Sequence, residues 1–138
     1  MAINSNYKHS ELTELIIGVF YEVNSELGFG FLESVYRNSL RLALLEKGLT
    51  VEQEAPITVF FRGKNAGADL IVKGTILLEL KTADQIIAAH ESQVLNYLRS
   101  TSLELGLILN FGSKPQVCRL LLDNSRKHVK AQHAGGST

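Results

Sequence analysis

An α/β domain built on a mixed sheet is the fold class this sequence predicts, and three observations predict it. Apolar residues recur at helical spacing over two opening stretches, about 11–27 and 32–47. Residues 51–81 then turn β-branched and aromatic, with turn residues between runs. A further helical stretch at 83–99 is followed by the nearly continuous apolar run 105–111, the composition of a strand buried on both faces. The expected order is α-α-β-β-β-α-β-β, in one domain over residues 9–123, with flexible tails at 1–8 and 124–138.

Each element has a local reason. In the first helix Leu12, Leu15, Ile16, Val19, Phe20, Val23 and Leu27 form one stripe. Ser10 is the expected N-cap and Gly28 the stop. Gly28-Phe29-Gly30 breaks the pattern. The second helix is expected over Leu32–Lys47, with Leu32, Val35, Tyr36, Leu40, Ala43 and Leu44 inward and Gly48 ending it. Pro56 interrupts the 51–62 segment, so that strand is expected to be bent or at an edge. Two strands, 67–72 and 75–81, flank a turn at Lys73-Gly74. The helix at 83–99 runs through Ile86, Ile87, Val94 and Leu98, and a last strand covers about 116–122.

Composition narrows the class further. The chain has 138 residues, 45% apolar and 20% charged, ordinary for a globular domain with a real core. No apolar run reaches the roughly 20 residues of a membrane span. The N-terminus lacks a basic region leading into an apolar segment, so the expected location is cytoplasmic. Cys118 is the single cysteine and lies in an apolar run, where a small core residue is expected rather than a nucleophile. Fourteen acidic and fourteen basic side chains cancel, which argues against binding nucleic acid by diffuse charge alone. A local basic track beside an acidic metal site remains compatible with that balance.

Charged residues inside apolar strands carry the chemistry. Asp69 lies in Gly67-Ala68-Asp69-Leu70-Ile71-Val72, and Glu79 and Lys81 in Ile76-Leu77-Leu78-Glu79-Leu80-Lys81. Glu79 and Lys81 are two apart and share one strand face. Burying such charges is costly unless they are paired or bind a metal. The turn decides whether Asp69 joins them. A two-residue loop at Lys73-Gly74 pairs Val72 with Thr75 and turns Asp69 away from Glu79. A three-residue loop, Val72-Lys73-Gly74, pairs Ile71 with Thr75 and puts Asp69 on the face of Leu77, Glu79 and Lys81. The second register is the one the chemistry requires. Two converging carboxylates make a hard-oxygen site for Mg²⁺ or Mn²⁺. The other reading is a surface Glu-Lys pair with Asp69 serving the turn.

Two helices supply further candidates. Glu33 opens the second helix, where an acid is also favoured by the helix dipole alone. Gln93 and Tyr97 are spaced i, i+4 and share a face, with His90 on the same side. That row either faces the carboxylates or forms a polar helix edge.

Together these residues resemble a known family. Gly30-Phe31-Leu32-Glu33-Ser34-Val35-Tyr36 resembles the G-x-x-E-x-x-x-Y signature of the GxxExxxY proteins, a branch of the PD-(D/E)xK nuclease superfamily. The likeness continues through Asp69, Glu79-Leu80-Lys81 and Gln93-Val94-Leu95-Asn96-Tyr97-Leu98. It closes with Gly106-Leu107-Ile108-Leu109-Asn110-Phe111-Gly112, and so spans about residues 11–122. The segment 61–68 is shorter than in that family and lacks its frequent Tyr-Arg pair. The resemblance implies a restriction-endonuclease-like αβββαβ core, with helices flanking a mixed central sheet. It implies Asp69 and Glu79 as metal ligands, Glu33 as an auxiliary metal-site acid, and Lys81 as the catalytic lysine. Gln93 and Tyr97 match the Q-x-x-x-Y element of related branches, where that helix lines the site.

The function expected on these grounds is a metal-dependent phosphodiesterase acting on nucleic acid, DNA before RNA. The rival is a noncatalytic interaction or regulatory domain on the same fold, favoured by the zero net charge and the shortened segment. A small domain with few basic residues often needs a second copy to hold a polymer, so a homodimer is expected.

Overall fold

A computed structural model describes residues 9–61 and 64–127, with side chains outside 54–68. The tail expected at 1–8, and the part from 128 onward of the one expected at 124–138, lie outside those residues. The elements are α1 (Ser10–Leu27), α2 (Glu33–Glu46), β1 (Val51–Phe61), β2 (Lys64–Val72), β3 (Ile76–Lys81), α3 (Ala88–Ser100), β4 (Leu105–Asn110) and β5 (Gln116–Leu121). This is the order expected from sequence. The strands form one mixed sheet in the order β1-β2-β3-β4-β5. Among the described strands only β3 and β4 pair in parallel, and α3 makes the crossover between them.

The sheet is covered on both faces, which is why β4 is buried throughout and apolar up to its last residue, Asn110. On one face Ile16, Val19, Phe20 and Val23 of α1, with Tyr36, Leu40 and Leu44 of α2, pack on Leu70, Val72, Leu78, Leu80, Leu107 and Leu109. On the other face Val94, Tyr97 and Leu98 of α3 pack on Ile71, Leu77 and Ile108. Gly106 lets α3 come close: a Cβ there would lie 2.6 Å from Val94 Cγ1. Strand β1 lies at the sheet edge, and its register with β2 shifts between Ala55 and Val59, where Pro56 has no N–H to donate.

Several local expectations are corrected. His9, in the left-handed region at φ 55°, holds the N-cap position of α1, so Ser10 is already helical. The stripe of α1 is rotated to bury Thr13 and leave Leu15 partly exposed. Leu32 points outward at 76% exposure, because it precedes α2 in extended conformation and is not on its inner face. Helix α3 starts at Ala88, not near 83. The N–H groups of Ala83 and Ile86 are taken by the Asn110 and Gln116 side chains, both at 2.9 Å, and the connection is a bend, not a helix.

The C-terminal boundary differs too. Residues 124–127, expected in the tail, form a helical turn. Lys127 is buried there, its ammonium donating to the carbonyls of Leu98 (2.7 Å), Thr101 (3.0 Å) and Leu103. It satisfies the open carbonyls at the end of α3, where a cation is favoured. No described helix is long and apolar enough to cross a membrane.

Candidate active site

The hairpin of β2 and β3 builds the site. Lys73 and Gly74 both take positive φ, 52° and 60°, as a type I′ turn requires, and Thr75 N–H donates to Val72 C=O at 2.9 Å. Thr75 is then one extra residue, because pairing resumes as Val72–Ile76, Ile71–Leu77 and Leu70–Leu78. The expected pairing of Ile71 with Thr75 is therefore corrected by two positions. Face parity is unchanged by a shift of two. Continued by one residue, this register sets Asp69 across from Glu79, on the α3 face with Ile71 and Leu77.

The side chains converge at that end of the sheet. Asp69 Oδ2 accepts the N–H of Leu80 at 2.8 Å, and its Oδ1 lies 3.5 Å from the Arg37 guanidinium. Lys81 Nζ lies 3.5 Å from Glu79 Oε2 and donates to Gln93 Oε1 at 3.4 Å. Glu79 is 5% exposed, and its Oε1 is buried with no hydrogen-bond partner among the described residues. Tyr97 is buried one turn beyond Gln93. Glu33 is half-buried at the first position of α2, with no side-chain cap on that helix; it feels the charge of Asp69, and its own charge is felt at Glu79. His90 turns back instead, its Nδ1 accepting the N–H of Ile87 at 3.2 Å to close the start of α3.

Arg37 is the member that sequence reasoning missed. It follows Glu33 by four residues and so shares its helix face. That spacing was the available signal, but a Glu-Arg pair of this kind is common on solvent-facing helices.

The electrostatics follow from crowding like charges in a half-buried place. Burial pushes the Glu79 carboxyl up to about 7, helped by Asp69 and opposed by Lys81. Burial also raises Asp69, against the lowering effects of the Leu80 N–H and the Arg37 and Lys81 cations. Glu33 is raised by burial first and Asp69 second. Tyr97 is pushed up to about 12 by burial and then by Glu79, which keeps its phenol neutral at physiological pH. Burial, then the nearby Lys81 charge, lowers His90.

These groups suit a divalent cation. Fully ionised, three carboxylates face two cations, a formal −1 that one divalent ion would turn to +1. The donors are hard oxygens, and the unpartnered Glu79 Oε1 is an atom a metal would satisfy. Among the described residues no three Asp, Glu, His or Cys side chains enclose a metal by themselves, so water or substrate oxygens would complete the shell. The fit rests on Asp69 and Glu79, with Glu33 adjoining. A separate cavity of about 690 Å³ opens beside Arg99, Asn124 and Lys127 and contains none of these residues.

Comparison with known proteins bears on the family and the fold. The profile of the PD-(D/E)XK nuclease superfamily matches residues 10–120, most of the chain. No curated protein matches. The crystal structure of SSO0001 superposes with a TM-score of 0.52 at 23% identity, over 92% of this chain and 66% of that one. At that identity the likeness concerns the fold alone, and this chain spans just under two thirds of that protein's length.

Proposed function

This chain belongs to the PD-(D/E)XK nuclease superfamily, and from that premise we propose that it is a divalent-metal-dependent phosphodiesterase acting on nucleic acid, DNA before RNA. Nucleases of this superfamily generally use divalent metal ions. The observation that carries the reading is Asp69 held on the Leu80 N–H, close enough for its charge to be felt at Glu79, with Lys81 beside them and Glu79 Oε1 buried and unpartnered among the described residues.

In this reading Asp69 and Glu79 hold Mg²⁺ or Mn²⁺, and Glu33 is the auxiliary acid. A divalent ion held there would acidify a water and shield the phosphodiester's charge. The residues do the rest. Leu80 N–H and Arg37 fix the Asp69 carboxylate from two sides. Gln93 steers the Lys81 ammonium, which stabilises negative charge developing on the phosphoryl oxygens. Tyr97, neutral at physiological pH, presents a hydroxyl to that helix face. Residues 9–127 act as the single catalytic domain, in the cytoplasm and as a homodimer. The G-x-x-E element at Gly30–Glu33 supports a place in the GxxExxxY branch, with Tyr36 one position earlier than that signature has it.

The test is cleavage of single-stranded, duplex, nicked and flapped DNA and of RNA, with Mg²⁺ and with Mn²⁺. Lys81→Met should lower the rate by about 10²- to 10³-fold, the loss of one transition-state donor. Its metal affinity by calorimetry should stay near wild type, since an ammonium cannot ligate a cation. Asp69→Ala should lose both. Metal binding without any cleavage would instead favour a noncatalytic interaction domain; cleavage by Lys81→Met at the wild-type rate would sink the assignment of the site.

A further inference from the structure

Beside the charged site lies an apolar rim that the proposed chemistry leaves unused. Among the described residues Leu32 and Phe29 are the most exposed large apolar side chains, at 76% and 66%, with Phe31 between them at 47%. Exposure of this kind in a cluster marks a binding surface more often than exposure of scattered single residues.

The loop is held in place. The Tyr36 hydroxyl donates to Gly28 C=O and accepts the N–H of Phe31 at 3.3 Å. Gly28 and Gly30 take the positive φ values, 74° and 112°, that this bend requires. Phe31 meets Tyr36 edge-on at 6.0 Å, and Tyr36 stacks on Phe111 at 4.4 Å. Phe111 N–H in turn donates to Lys81 C=O at 2.8 Å. A line of contacts therefore runs from the exposed Phe31 to the strand end that carries Lys81. Leu32 precedes Glu33, whose charge is felt at Glu79. The rim thus adjoins in sequence the helix start that carries Glu33 and Arg37 to the site.

Resting on the phosphodiesterase reading, we propose that Phe29 and Phe31 form a stacking platform for unpaired bases of the strand entering the Asp69–Glu79–Lys81 site. The substrate class is then single-stranded or frayed nucleic acid, not intact duplex. Two features favour a nucleobase as the occupant. The chain's formal net charge is zero, so diffuse charge adds little to whatever local cations supply, and a further anchor is useful. Aromatic faces supply one, because every base has a π-face to stack on them. Duplex bases are already stacked on one another and gain nothing from the rim without unpairing. Phe29 and Phe31 are two residues apart, within about 7 Å along the chain, near enough for neighbouring bases.

The test is binding of fluorescein-labelled oligothymidylate and of a blunt hairpin duplex to the full chain carrying Lys81→Met, with Mn²⁺. Oligothymidylate should bind at least about tenfold more tightly than the duplex. Phe29→Ala and Phe31→Ala should each weaken oligothymidylate binding about tenfold, the scale of one lost base stack. Their salt dependence should stay as in the parent chain. Phe31→Tyr should keep affinity and Phe31→Leu should lose it, which separates stacking from apolar area. Stacking-dependent binding without hydrolysis by the chain with Lys81 intact would leave this inference standing and remove the phosphodiesterase reading. Hydrolysis of duplex and single strand alike, undiminished in both Phe→Ala variants, would do the reverse. Failure to bind oligothymidylate overturns the inference, as does a dimer in sedimentation that the Phe→Ala variants dissociate, for the rim then belongs to a second copy.

Discussion

The two faces of the sheet are built to different ends. The face under α1 and α2 is an unbroken apolar layer from Leu70 to Leu109, sealed by Phe20, Tyr36 and Leu40. The face under α3 has a short apolar patch around Leu77 and Ile108, and beyond it the same strands carry Asp69, Glu79 and Lys81. One strand, β3, serves both, turning Leu78 and Leu80 to the first face and Leu77, Glu79 and Lys81 to the second. The difference teaches that half-buried charge is tolerated here because it occupies one face alone. The other face supplies apolar burial at about 25 cal/mol per Å² without interruption.

Neighbouring leucines on β3 measure that difference most strongly. Both Leu77 and Leu78 are fully buried. Leu78→Ala should destabilise by about 4 kcal/mol and Leu77→Ala by about 2–3 kcal/mol, because the smaller patch under α3 can collapse around the void. Denaturant midpoints with unchanged slopes would give the values. Equal losses, or the reverse order, would break the contrast between the faces.

Next in size is the charge itself. Glu79 titrates near 7 in the folded chain against an ordinary 4.5. The unfolded chain ionises first as pH rises, so the metal-free fold should lose stability between about pH 4.5 and 7 and stay at the lower level above that. At about 1.4 kcal/mol per pKa unit the loss is on the order of 3 kcal/mol. The raised carboxyls of Asp69 and Glu33 act in the same direction. Thermal unfolding across pH should show the decline in wild type and a flatter profile in Glu79→Gln. Mn²⁺ at pH 8 should restore wild type and not the variant. A wild-type profile as flat as the variant's would mean that the buried carboxylate carries no such cost.

The smallest effect concerns how closely α3 approaches. Gly106→Ala should cost about 1–3 kcal/mol by pressing a methyl into Val94. In a Val94→Ala background the added cost should shrink by at least about 0.5 kcal/mol, a coupling that a double-mutant cycle reads directly. Strict additivity would show that Val94 yields without strain.

Sequence made some of this legible and hid the rest for identifiable reasons. Glu79 and Lys81 could be put on one face because strand parity is local, and Asp69 followed once a turn of suitable parity was chosen. The exact partner of Ile71 was not legible, because Thr75 adds a residue after a turn whose positive φ values fall on Lys73 and Gly74. The start of α3 was hidden because Asn110 and Gln116, 27 and 30 residues ahead, claim the N–H groups of Ala83 and Ile86. Helical spacing cannot register a partner so distant. Leu32 read as an inward helix residue because apolar type was taken for burial, yet it lies outside α2 on the exposed rim. Arg37 was passed over because an ordinary helix-surface pair and a grip on a strand carboxylate look alike in one dimension.

The buried ammonium of Lys127 has a consequence in time rather than in space. It gathers the carbonyls of Leu98, Thr101 and Leu103, yet in the chain it follows every strand of the sheet. A chain made from its N-terminus completes α3 and β4 before this residue exists, and until then water must satisfy those carbonyls. The joint between the crossover helix and its strand is thus closed from downstream, and its seal is among the last parts of the sheet domain to be synthesised.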